Sequence, residues 1–148
     1  MWASVRAIRS YPSSHSSSEP AFIADAGVIR KFTFCCEPKV IQNYFDGWLT
    51  GDTTLVGSAM HATCNLKYVK DGKISKRNRT EYLSGFKPRP RLENAEGRIL
   101  SIDITRTAAE AKVELETENR LFTDYFNLLK EEDRWYITDK VSTNISKK

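Results

Sequence analysis

Asp124 stands in the run Phe122-Thr123-Asp124-Tyr125-Phe126-Asn127-Leu128. In an extended strand alternate side chains share a face, so this spacing puts a carboxylate in line with Phe122, Phe126 and Leu128. Burial among aromatic rings would raise its pKa and poise it as a general acid or base near neutral pH. The same spacing also suits a carboxylate that accepts hydrogen bonds from its neighbours and organises the sheet. The second candidate is His61, one of two histidines in the chain; the other, His15, lies in a serine-rich stretch. His61 is expected at the end of a helix, either capping the last carbonyls or facing a pocket, where it would form an acid/base pair with Asp124.

Aromatic residues supply candidate ligand contacts. Tyr44 and Trp48 are four apart, as are Tyr82 and Phe86, so each pair falls on one helical face; Phe122, Phe126 and Trp135 come from strands. Such stripes ordinarily form core. A tyrosine hydroxyl or indole N–H beside a cavity nevertheless needs a partner, which a ligand can supply. No metal or cofactor is expected: two histidines and three cysteines (Cys35, Cys36, Cys64) form no zinc-ligand spacing and no even disulfide framework.

The elements that would position these groups can be read along the chain. Residues 1–31 are set aside as a tail, and 32–148 as one domain. Within the tail, residues 1–20 carry Arg6 and Arg9, no acid before Glu19 and serines over 13–18; they suit either an organellar presequence or an unstructured extension. The remaining expectation is a cytoplasmic protein with no membrane segment, since no apolar run approaches the roughly 20 residues that a spanning helix needs. Pro38 suits a first helical position, and Val40, Ile41, Tyr44, Phe45, Trp48 and Leu49 make an apolar stripe that Gly51 stops. Asp52 can cap a second short helix carrying Leu55, Val56, Ala59 and Met60.

Cys64, Leu66 and Tyr68 alternate with polar neighbours as in a strand, and Asp71-Gly72 marks a two-residue hairpin to Lys73–Lys76. Asn78 with Glu81 resembles a capping box opening a third helix that buries Tyr82, Leu83 and Phe86 and ends at Pro88 and Pro90. Four strands follow over 99–107, 109–117, 121–130 and 134–142. Helices first and a meander of strands after them predict an α+β domain with helices on one sheet face.

Charge is uneven. Over 67–91 nine basic residues face two acidic ones, a local charge of +7, whereas from Leu92 onward nine basic residues face twelve acidic ones. The basic segment, which includes Tyr68, Tyr82 and Phe86, allows nucleic-acid binding by phosphate contact and stacking, or a solvated hairpin with lysines guarding its edge. The second is the better fit. The stiff run Lys87-Pro88-Arg89-Pro90-Arg91 could gate a cavity and draw an anionic ligand.

The phrases Ile41-Gln42-Asn43-Tyr44-Phe45-Asp46-Gly47-Trp48 with Gly51-Asp52, Ala59-Met60-His61, Ala109-Glu110-Ala111-Lys112-Val113, and Asp124-Tyr125-Phe126-Asn127-Leu128-Leu129 followed by Arg134-Trp135-Tyr136-Ile137 resemble the nuclear transport factor 2-like superfamily. Within it they resemble the lumazine-binding, SnoaL-like branch, over roughly residues 38–142. The resemblance implies a cone of three N-terminal helices on the concave face of a curved antiparallel sheet, a small apolar or heterocyclic ligand inside it, and a homodimer through the outer sheet face. It does not choose between enzyme and binding module, since one fold hosts both.

Overall fold

The structure, a computed structural model, describes residues 39–148. Pro38 and the tail fall outside the described residues. Helix α1 (Lys39–Thr50) buries Val40, Ile41, Tyr44, Phe45 and Leu49, as its spacing requires, and ends at Gly51, whose φ of +67° only glycine adopts without strain. The Asp52 carboxylate accepts the N–H groups of Thr54 and Leu55 at 2.8 and 3.0 Å and so starts α2 (Thr53–Ala59), a cap worth about 1 kcal/mol.

Strand β1 (Met60–Lys70) begins directly at the C-cap of α2, four residues before the alternation at Cys64 announces it. His61 is therefore a strand residue and does not cap the helix. Asp71 and Gly72, at φ 51° and 73°, turn the chain into β2 (Lys73–Asn78). Asn78 and Glu81 complete the capping box of α3 (Arg79–Leu83). This helix ends at Leu83, before either proline, so Phe86 lies beyond it.

Four long strands complete the domain: β3 (Glu96–Thr105), β4 (Ala108–Glu116), β5 (Arg120–Glu131) and β6 (Arg134–Ser146). The six strands form one curved, unclosed sheet in the order β2-β1-β6-β5-β4-β3, an α+β cone with the three helices on its inner side. Every neighbouring pair is antiparallel except β1 with β6, which run parallel.

The inner face of the sheet meets α1. Ala111, Val113 and Leu115 of β4 are buried there, while Glu110, Lys112 and Glu114 point outward. Tyr44 packs edge-on against Phe126 with ring centres 5.0 Å apart, and Trp48 likewise against Phe122 at 5.5 Å. A Cβ at Gly97 of β3 would overlap the Phe45 ring, so this position must be glycine for the helix to lie so close. On β6 the pairing slips by one residue: Asn127 faces Asp139 but Leu128 faces Ile137, leaving Thr138 as a β-bulge.

Candidate functional site

The bulge at Thr138 decides which β6 side chains face inward. Ile137 is inside; without the bulge Asp139 and Val141 would follow it, but the extra residue brings Lys140 and Ser142 in and turns Val141 out, 48% exposed. Lys140 and Ser142 thereby stand beside Phe126 and Asp124, their direct partners on β5. The Lys140 ammonium donates to Asp124 Oδ2 at 2.5 Å and to the Tyr44 hydroxyl at 2.6 Å, and the Ser142 hydroxyl donates to Asp124 Oδ1 at 2.6 Å. The Tyr44 hydroxyl lies 2.7 Å from that of Tyr82 on α3. Two strands and two helices thus meet in one hydrogen-bonded line.

This is a buried ion pair. The side chains of Lys140 and Asp124 are 4% and 2% exposed. Burial works against the lysine charge, but the Tyr82 hydroxyl and the Asp124 carboxylate outweigh it, and its pKa stands above the usual lysine value. The rings of Tyr44, Tyr82 and Phe126 surround the ammonium at 5.0, 5.5 and 5.7 Å and add cation–π attraction. Burial, then Tyr82 and Asp124, hold the Tyr44 phenol well above the ordinary tyrosine range, so it is a neutral hydroxyl. Both Asp124 oxygens are engaged, which ties the carboxylate to an anchoring task and leaves it poorly placed to take a proton from a substrate.

Above this pair lies an open cavity of about 650 Å³. Trp48, Phe122, Tyr82 and Leu115 border it, with Leu66, Tyr68 and Arg77 of the β1–β2 hairpin and Asp124, Lys140 and Ser142; Val69, Ile74, Tyr125 and Val141 of the opposite sheet face border it too, so the space opens to the outer side. Arg77 is exposed, its guanidinium 5.7 Å from the centre of the Tyr68 ring.

The structure brings together some of the residues expected from sequence and separates others. Trp48, Tyr82, Phe122 and Asp124 border the cavity. Tyr44 lies behind it as a buried hydroxyl, and Phe126 is fully buried beneath the ion pair. Phe86 supports Tyr82 from behind, ring centres 5.1 Å apart, and Trp135 packs on the core at the far end of β6; neither lines the space.

His61 and Asp124 do not meet. Nδ1 of His61 lies 2.7 Å from the Thr63 hydroxyl and Nε2 lies 3.7 Å from Glu131, while the ring packs edge-on against Tyr136. Tyr136 and Glu131 belong to the outer face near the β5–β6 turn. Met60, its neighbour, pairs with Ile137 whereas Asp124 pairs with Ser142, so about five residues of strand, or about 15 Å, and the sheet itself separate the two groups.

Four of the nine basic residues in 67–91 are engaged within the fold: Lys67 pairs with Asp139, and Arg79, Arg89 and Arg91 hold helices. Arg79 donates to the carbonyls of Gly57 and Met60 at the end of α2, and Arg89 donates to the Trp48 carbonyl while stacking over its indole at 5.6 Å. Main-chain bonds from Arg89 to Thr50 and from Leu92 to Leu49, with Arg91 paired to Asp46, fasten the 87–92 loop to α1 instead of leaving it as a gate.

The family described as "Putative lumazine-binding" matches residues 38–142, which span the whole cone up to the site residues on β6. The chain belongs to this family. Solved structures agree on the fold. A nuclear transport factor 2-like protein of unknown function from Shewanella baltica is 27% identical, with a TM-score of 0.66, over 72% of this chain and 89% of that one. One from Methylobacillus flagellatus is 27% identical, TM-score 0.59, over 70% and 85%. A ketosteroid isomerase-like protein from Erwinia carotovora atroseptica, 15% identical over 74% of this chain and 93% of that one, has a TM-score of 0.57 and shares the fold. No curated protein matches the chain. Among the described residues no helix is long and apolar enough to cross a membrane.

Proposed function

We propose that this domain binds a small, largely apolar molecule, aromatic or heterocyclic, inside the cone. The observation that carries this reading is a cavity of about 650 Å³, within the usual size of a ligand pocket, bordered by aromatic rings and floored by a hydrogen-bonded ion pair. The floor is internally satisfied, so its work is to orient polar groups toward the ligand. Binding is favoured over proton-transfer catalysis because Asp124 is engaged at both oxygens and His61 is elsewhere. Lumazine, the flat bicyclic heterocycle in the family's description, is the first compound to titrate, followed by small aromatic acids. Ligand-dependent thermal stabilisation that disappears on filling the cavity with Leu66→Trp supports the reading; stabilisation unaffected by that substitution places the ligand elsewhere and defeats it.

A second reading concerns the outer face, where Val69, Ile74, Tyr125, Leu129, Val141 and Ile145 are 42–83% exposed. Apolar side chains spread over one sheet face suit a homodimer. Light scattering at micromolar concentration gives twice the chain mass on this reading, and Tyr125→Glu with Val141→Glu returns it to one; a monomeric wild-type chain counts against it. Nucleic-acid binding has the least support, since Arg79, Arg89 and Arg91 are occupied within the fold.

A further inference from the structure

We infer that the cavity selects ligands presenting an acceptor-only oxygen, best a carboxylate, and that the hydroxyl of Tyr82 is the donor that reads it. The inference rests on the cavity reading above and adds a direction to it. The argument starts at the ion pair. An ammonium has no lone pair, so Lys140, 2.5 Å from Asp124, can only donate to the Tyr44 oxygen at 2.6 Å. The Tyr44 hydroxyl is fully buried and, among the described residues, Tyr82 offers it the one acceptor within reach, so its proton is turned to the oxygen 2.7 Å away on Tyr82. The Tyr82 hydroxyl then has one proton left to give, since its neighbours among the described residues, Tyr44 and the Lys140 ammonium, can only donate to it.

Tyr82 borders the cavity, whereas Tyr44 does not. A line of three groups that begins at a fixed cation therefore ends in a donor at the ligand's surface. Hydrogen bonds in such a line polarise one another in one sense, which strengthens the terminal donor.

The remaining charge in the cavity points the same way. Its one carboxylate, Asp124, is bonded at both oxygens and neutralised by Lys140. Lys67 and Arg77 border the same space; Lys67 is paired with Asp139, and among the described residues no acidic side chain pairs with Arg77. A cationic ligand would find no uncompensated negative charge, only neutral acceptors such as the Asn144 amide oxygen; a carboxylate would find both a donor and a guanidinium.

Three naphthalene compounds of one shape separate these terms: 2-naphthoate, the neutral ketone 2-acetylnaphthalene, and 2-naphthylmethylammonium, each titrated calorimetrically near neutral pH. The naphthoate is expected to bind about ten-fold or more tighter than the ammonium, and the ketone about three-fold tighter, as one hydrogen bond is worth. Tyr82→Phe should erase the ketone's advantage over the ammonium compound, and Arg77→Gln should reduce only the naphthoate's. Thermal midpoints of both variants establish that they are folded, and Tyr44→Phe, which interrupts the line one step earlier but keeps the Tyr82 hydroxyl, should lower the ketone's advantage by a smaller factor if Tyr82→Phe does not fold. Equal affinities for all three compounds in the wild-type chain would overturn the inference and leave the cavity reading intact. No binding of any of them would overturn both.

Discussion

Two clusters of opposite charge stand on opposite faces of the same sheet. Inside, Lys140 and Asp124 are nearly inaccessible to water. Outside, Arg98 of β3 reaches Glu96, Glu114 and Glu116 while Lys147 reaches Glu116 as well, all in contact with solvent. The outer cluster has more ion pairs, yet the inner pair matters more to the fold. Exposed pairs exchange water for a partner at little net gain. A buried pair has no such exchange available, so removing one member strands the other in a medium that cannot solvate it.

The sharpest way to break this contrast is Lys140→Met. It leaves the Asp124 carboxylate buried beside rings, and a loss of about 3–5 kcal/mol is expected in urea unfolding. A loss below about 1 kcal/mol, the range of an exposed pair, would mean that water reaches the site and that the two faces are alike. Adding Asp124→Leu to Lys140→Met should restore most of the lost stability, because an apolar pair of suitable volume replaces an ionic one at little cost. That double variant should lose the ketone's advantage over the ammonium compound, since nothing then orients Tyr44 and Tyr82, while Arg77 still favours the naphthoate. Retention of the ketone's advantage in a folded double variant would detach ligand selection from the ion pair.

Alkali tests the inner face in another way. Burial, foremost, pushes the Cys64 thiol up from 9.0 to about 12. A pKa raised by folding means the unfolded chain releases its proton first, so this contribution is complete below pH 9, shrinks from there and is lost by about pH 12. The slope from one such group approaches about 1.4 kcal/mol per pH unit. Tyr44 and Lys140, both raised, act in the same direction from about pH 10 upward. Cys64→Ala should flatten the stability curve between pH 9 and 10 relative to wild type; an unchanged curve would show that the thiol is not shielded. The smallest effect is expected outside: Arg98→Gln should cost less than about 1 kcal/mol, with the difference disappearing in high salt.

Local signals in the sequence foretold most of the fold. Asp52 and the Asn78–Glu81 pair cap helices through neighbours two or three residues away, and Asp71-Gly72 turns the chain within two residues, so each can be recognised from its own segment. The alternation from Ala109 to Leu115 likewise identifies its inner face. The site was only half legible. Asp124 could be found because β5 alternates without interruption around it.

Lys140 and Ser142 could not, because a strict two-residue period carried on from Ile137 would put Asp139 and Val141 on the inner face. The bulge at Thr138 reverses that assignment, and nothing in the composition of the segment marks it. The seating of Arg79 and Arg89 on helix-end carbonyls, and of Arg91 on the Asp46 carboxylate, was hidden for a different reason: their partners lie 19 to 45 residues away along the chain. His61 was misplaced because β1 starts immediately at the end of α2, with no loop residue to mark the change.

The parallel pairing of β1 with β6 also orders events during synthesis. Lys67 and Val141 are register partners although the residues between them make up β2, α3 and three other strands. A ribosome that has released the chain only as far as the β5–β6 turn exposes β1 and β5 with their facing edges unpaired and a carboxylate at Asp124 that has no ammonium. Such edges invite other chains. Translation of β6 therefore closes the sheet and supplies the countercharge together, and a stall just before it leaves the nascent domain at its most vulnerable to aggregation.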